Sequence, residues 1–175
     1  DALLPALDII GIDLGVVLQA DNQLLITMIF FGLGLGPLLF GPLSDDIGRK
    51  PSVYIGFSVF LLASLVCVNA TSLEMMILGR ILQGIGLSAP RTICIAIIRD
   101  LYQGDYMARV MSFVTIVFLL IPIVAPAMGK FVLDSYSWQA IFYVQAAISV
   151  VVTIWFWLRQ KETLVVNNRI PFQFH

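Results

Sequence analysis

Five apolar stretches, at residues 24–43, 52–68, 73–98, 110–133 and 138–158, are separated only by short polar breaks. A bilayer core is crossed by about 17–25 helical residues, and within it every backbone amide and carbonyl must find a partner in the chain. Stretches of this length and character are therefore predicted to be membrane-crossing helices. Composition supports that reading, since only 12% of the residues are charged and 59% are hydrophobic, whereas about a quarter of a soluble domain is charged. The fold class expected is an all-α membrane protein embedded in a lipid bilayer.

Several function classes have no chemical footing. No basic stripe offers phosphates a surface, which argues against a nucleic-acid partner. The two cysteines, Cys67 and Cys94, lie inside apolar stretches and read as small packing residues, and the one histidine is the last residue, His175. With no ligand cluster, no nucleophile beside a base and no phosphate-cradling loop, neither catalysis nor a metal or other cofactor is expected.

The positions of the cations set an orientation. Arg49 and Lys50 follow the stretch 24–43, Arg99 and Arg109 flank the break after 73–98, and Arg159, Lys161 and Arg169 follow 138–158, whereas the opposite breaks hold only Lys130. Under the positive-inside rule the first set of connections faces the cytoplasm. Tyr136, Trp138, Trp155 and Trp157 are expected at the two interfaces as aromatic anchors. The chain opens at Asp1 rather than methionine, and the apolar run 2–12 is too short to cross a bilayer, so the expectation is a chain that starts inside a first helix. No signal-peptide pattern is present there.

Polar residues inside the apolar stretches carry the functional reading. Arg80 and Arg91 lie in the stretch 73–98, where each costs about 2.5–3.5 kcal/mol at the membrane centre unless water or a partner receives it. Eleven residues are close to three helical turns, so both arginines, with Gln83 and Gly84, are expected on one face turned toward a polar cavity. Snorkelling of either arginine to an interface is the competing reading. Asp1 is the expected counter-charge from the first helix: a carboxylate near an arginine in low dielectric switches between charged and neutral with a proton. Its competing reading is a solvated terminal residue, and Asp8, Asp13 and Asp21 are read as solvated.

Helix-shaping residues follow. Pro122, Pro126 and Gly129 are expected to bend the stretch 110–133, Pro90 the one before it, and Gly32, Gly34 and Gly36 to allow close helix contact. The segment 41–51, GPLSDDIGRKP, reads as an ordered charged loop between two helices. Gly41 there leaves room for a neighbouring helix and Gly48 permits a tight reversal.

This segment resembles the loop signature of the major facilitator superfamily through Gly41, Leu43, Asp45, Gly48, Arg49 and Lys50, with Asp46 in a position where a cation is usual. LGRILQGIG is similar to the superfamily's second signature through Arg80, Gln83, Gly84 and Gly86, and PIVAPAMGK to its antiporter signature through Pro126 and Gly129. The opening DALLPALDIIGIDL resembles the first-helix motif of the Bcr/CflA drug-resistance branch. The resemblance implies an amino-terminal six-helix bundle over residues 1–163 with helix 1 truncated, then a cytoplasmic linker over 164–175 toward a second half of the transporter. It implies proton-coupled efflux of a small-molecule substrate across the bacterial inner membrane. Asp1 is then the acid used by protons or substrate, tuned by Arg80; Asp45 caps a helix of the other half; and Arg49 pairs with Asp100. Arg91 belongs to no part of the pattern. Transport of a metabolite by the same fold, or a membrane protein that does not transport, are the alternatives.

Overall fold

The computed structural model describes residues 2–15 and 19–164. A 3₁₀ turn at Leu4–Ala6 leads into the short helix α1, Leu7–Asp13, and five long helices follow: α2 Gln19–Ile47, α3 Arg49–Val68, α4 Leu73–Leu101, α5 Gly104–Ser135 and α6 Gln139–Arg159. All five are long and apolar enough to cross a membrane. The chain is an integral, multi-pass membrane protein.

Helix ends differ from the expected ones wherever a boundary was drawn at charge. α2 continues through Asp45 and Asp46, α4 reaches Leu101, and α5 begins at Gly104, six residues before 110. α4 and α5 have 29 and 32 residues, about 43–48 Å at 1.5 Å per residue, so their ends project beyond a core of about 30 Å. Charge in those turns meets water and does not stop a helix. The segment 41–51 is accordingly no loop. Gly48 alone breaks it, at φ 112° and ψ 161°, a backbone shape that L side chains resist, and α3 starts at Arg49 with Pro51 in its first turn.

α4 is the central element. It packs along α2 on one side and α3 on the other, while α6 lies on α3. The α2 contact is backbone against backbone: a Cβ at Gly32 would collide with the Ile81 carbonyl, and one at Gly84 with the Ile29 carbonyl. Gly36 meets Ser88 in the same seam, but Gly34 and Gly41 face open space, so neither supports a helix contact. One core cluster joins Leu3, Ile10, Leu25, Met76, Trp138 and Phe142; a second joins Phe40, Phe57, Ala89 and Ile93. Cys67 is fully buried and Cys94 half-buried, as free thiols.

Trp138 departs from its expected place. It is 4% exposed, packs edge-on against Phe142, and donates from Nε1 to Oδ2 of Asp13 at 2.7 Å. It is a core residue tied to the end of α1, and Asp13 is its acceptor rather than a merely solvated acid. Trp155 and Trp157 are exposed at the end of α6.

Candidate functional site

Two groups of polar residues stand out, one inside the bundle and one at its cation-rich end. The inner group hangs on α4, whose capped start, with Ser72 accepting from the Met75 amide at 3.3 Å, sets the register of the turns that follow. Two turns on, Arg80 is 1% exposed and Gln83 fully buried. Spaced at i and i+3 they meet on one face: Nη1 of Arg80 donates to Oε1 of Gln83 at 2.9 Å, and Nε donates to the Leu25 carbonyl of α2 at 3.2 Å. Gln83 passes the chain on, donating from Nε2 to Oγ of Ser64 at 2.8 Å, and Ser64 donates to the Phe60 carbonyl. The guanidinium also lies 6.0 Å from the centre of the Phe142 ring. The result is a guanidinium enclosed by α2, α3, α4 and α6. The wall that Phe142 supplies belongs to the same cluster as Leu3, Ala6 and Ile10 of the first segment.

Asp1 lies outside the described residues. Gly129 of α5 is buried against the start of the chain, where a Cβ would strike the Ala2 carbonyl. Pro126 is half-buried one turn away and Pro122 is exposed. All three remain within one continuous helix.

The second group gathers four elements around Arg49. Its Nη1 donates to Oδ1 of Asp45 at 2.5 Å and to Oγ of Ser44 at 2.7 Å, both on α2, and its Nε donates to Oδ2 of Asp100 on α4 at 3.1 Å. The Arg49 side chain is only 11% exposed, against 45% for Asp45 and 25% for Asp100, so the bonds to Arg49 are sheltered on the arginine side. Asp45 thus has a partner within this chain. Asp46 has none among the described residues, and nothing in the structure explains an aspartate there.

Glu162, just past α6, completes the group. Gly48, the residue before α3, caps no amide with a side chain. Glu162 does so from a distance in sequence, accepting from the backbone N–H groups of Arg49 and Lys50, each at 3.0 Å, and from those of Thr163 and Leu164. Partial burial opposes its charged form, but the four amides outweigh that and hold its pKa below the ordinary glutamate value. Lys50 reciprocates by donating from Nζ to the Trp157 carbonyl at 3.1 Å, near the end of α6, and Thr163 reaches Asp100 at 3.3 Å. Neither Glu162 nor Ser64 was singled out in the sequence: each is hydrogen-bonded to residues distant along the chain. An acid after a helix end was the one available signal for Glu162.

Arg80 and Arg91 do not share an environment. Arg91 is exposed, with its guanidinium 5.8 Å from the centre of the Phe118 ring of α5. It lines a cavity of about 580 Å³ between α2 and α4 that also takes in Gly41, Ser44, Asp45, Arg49 and Arg99. The stripe expected on one face is split by packing into a buried part around Arg80 and Gln83 and an open part around Arg91.

The chain is similar to several known proteins. The family description Major Facilitator Superfamily matches residues 1–172. A bicyclomycin resistance protein homolog of Haemophilus influenzae is 34% identical over all 175 residues, which cover 44% of that relative. The multidrug resistance protein MdtL of Salmonella paratyphi C is 31% identical over 169 residues, 95% of this chain and 42% of the relative. Among solved structures, the human organic anion transporter MFSD10 (TETRAN) superposes with a TM-score of 0.74 over 96% of this chain and 40% of its own, at 20% identity, a likeness of fold. The chain spans less than half the length of the curated relatives it matches.

Proposed function

The chain belongs to the Major Facilitator Superfamily, and on that premise we propose that it is the amino-terminal half of a proton-coupled exporter of drugs or other small amphipathic molecules. The observation that carries this reading is the sealed network of Arg80, Gln83 and Ser64. A fixed positive charge in a water-poor site lowers the cost of deprotonating a carboxylate brought near it, and Asp1 is the acid assigned that role from its sequence motif. Proton loss and gain at Asp1 alternate with substrate binding, and the two halves rock around a midplane site. A membrane potential supplies about 2.3 kcal/mol per charge per 100 mV to drive the cycle. The names of the relatives, resistance to bicyclomycin and to multiple drugs, support the substrate class.

The remaining assignments belong to the same reading. The cation-rich end faces the cytoplasm, and the location is the bacterial inner membrane. Residues 164–175 are a linker toward the second half. Arg49, bonded to Asp45 and Asp100, is a latch that holds the cytoplasmic side closed, while Pro122, Pro126 and Gly129 shape the helix that rocks. Drug-induced proton release from everted vesicles carrying the full-length protein tests the proposal. Release is expected with the native sequence and absent in Asp1→Asn; unchanged coupling in that variant sinks it.

A further inference from the structure

Asp13 stands where helix physics gives it no reason to be. It is the last residue of α1, and a carboxylate at a helix C-terminus is opposed by the backbone dipole. Its reason lies across the bundle, in the indole N–H of Trp138, which it receives at 2.7 Å. Trp138 is the residue before α6 and is buried, so its N–H needs an acceptor. The bond lies at the end of the bundle opposite the cation-rich connections, where α3 ends and α4 and α6 begin.

From Trp138 a continuous set of contacts leads to Arg80. The indole packs edge-on against Phe142, ring centres 6.1 Å apart, and the Phe142 ring centre lies 6.0 Å from the Arg80 guanidinium carbon. Leu3, Ala6 and Ile10 of the first segment, all buried, belong to the same cluster as the two aromatics. That seating is apolar, and apolar contact is non-directional. A hydrogen bond to a carboxylate, by contrast, fixes one position along the seat.

We propose that the Asp13–Trp138 bond is a clasp that fixes the first segment on α6 and keeps water of the outer compartment from the Arg80 side of this cluster. Asp13 and Trp138 are then positioning residues for Arg80. The inference rests on the proton-coupling reading for the use made of Arg80, but not for the closure itself.

Cys67 reports the closure without transport. It is fully buried in the same cluster, and a Cβ on Gly79, the residue before Arg80, would strike its Sγ. The full-length protein with Cys67 as its single cysteine is labelled by a membrane-impermeant maleimide in right-side-out and in everted vesicles. Trp138→Phe keeps an aromatic ring and removes the donor; Asp13→Ala removes the acceptor. In right-side-out vesicles each is expected to label roughly tenfold faster or more than the native sequence, the size of one charge-assisted hydrogen bond. The double variant is expected to be no faster than either, because both changes remove the same bond. Asp13→Asn keeps an acceptor oxygen and is expected to restore most of the protection. A second reporter separates closure from general loosening: Ile93→Cys, in the cluster of Phe57 and Ala89, with Cys67→Ser, is expected to stay unreactive throughout. The proposal is overturned if both single variants label at the native rate, if their effects add, if Asp13→Asn labels as fast as Asp13→Ala, or if Ile93→Cys gains reactivity in step with Cys67. A gain confined to everted vesicles would keep the clasp and reverse the orientation. Labelling needs neither drug nor proton, so drug-induced proton release absent from the native protein would fail the transport reading alone.

Discussion

Gln83 decides how much Arg80 costs the fold. A buried guanidinium is tolerated when its donors are received, and Gln83 receives one of them while handing its own amide to Ser64. Gln83→Leu keeps volume and helix propensity but strips an acceptor from a buried cation, at a cost of about 2–4 kcal/mol. Ser64→Ala leaves a neutral amide N–H of Gln83 without its acceptor, at a cost of about 1–2 kcal/mol. Thermal unfolding of the detergent-solubilised protein should therefore rank native, Ser64→Ala and Gln83→Leu in falling order of midpoint. Equal midpoints for the two variants would mean that the cation does not depend on Gln83. The pairing of Arg80 with Gln83 was legible because i and i+3 on a helix are neighbours whatever surrounds them. The place of Trp138 was not: an aromatic at a helix end reads as an interfacial anchor, and only the return of α1 with Asp13 makes it a core residue.

Among the elements, the spans were legible and their ends were not. Hydropathy reports where lipid is, while helices run on past the lipid until backbone geometry stops them, as Gly48 stops α2. The residue that caps the next helix arrives from beyond α6, so no local pattern predicts it. Glu162 accepts from the first two amides of α3, where a carboxylate also answers the helix dipole. Glu162→Ala should therefore speed hydrogen exchange at the amides of Arg49 and Lys50 while leaving mid-helix amides of α3 unchanged. The cap contributes about 0.5–1 kcal/mol after solvent screening. Its pH dependence follows from the sign of the shift. A folded-state pKa below the ordinary value means stability that is fully present above about 4.5 and lost as pH falls through the lowered value. Exchange rates of the native protein and of Glu162→Gln should thus differ at neutral pH and converge in acid. Convergence that sets in at neutral pH would show that some other group governs the cap.

For the molecule as a whole, the question is whether the bonds around Arg49 only tie four elements together or also hold one state of the transporter. Both readings predict that removing Asp100 loosens the end of the bundle, since Arg49 loses a sheltered partner. They differ in what the cavity beside it does. If the bonds act as a latch, the cavity wall becomes reachable from the cytoplasm more of the time in the full-length protein, because the closed state has lost a contact that the open state never made. Thr92 lines that wall, and the two native cysteines, one buried and one half-buried, can be replaced by serine to give a silent background. Thr92→Cys should then react with a membrane-impermeant maleimide several-fold faster from the cytoplasmic side when Asp100→Asn is added, roughly as expected for about 1 kcal/mol removed from one state. Arg49→Gln should raise the rate by a similar factor, and combining the two should add little, since each removes the same bond. Additive increases would assign the effect to separate contacts, with Asp45 as the other partner of Arg49. An unchanged rate with lowered thermal stability would leave the group as a purely structural tie.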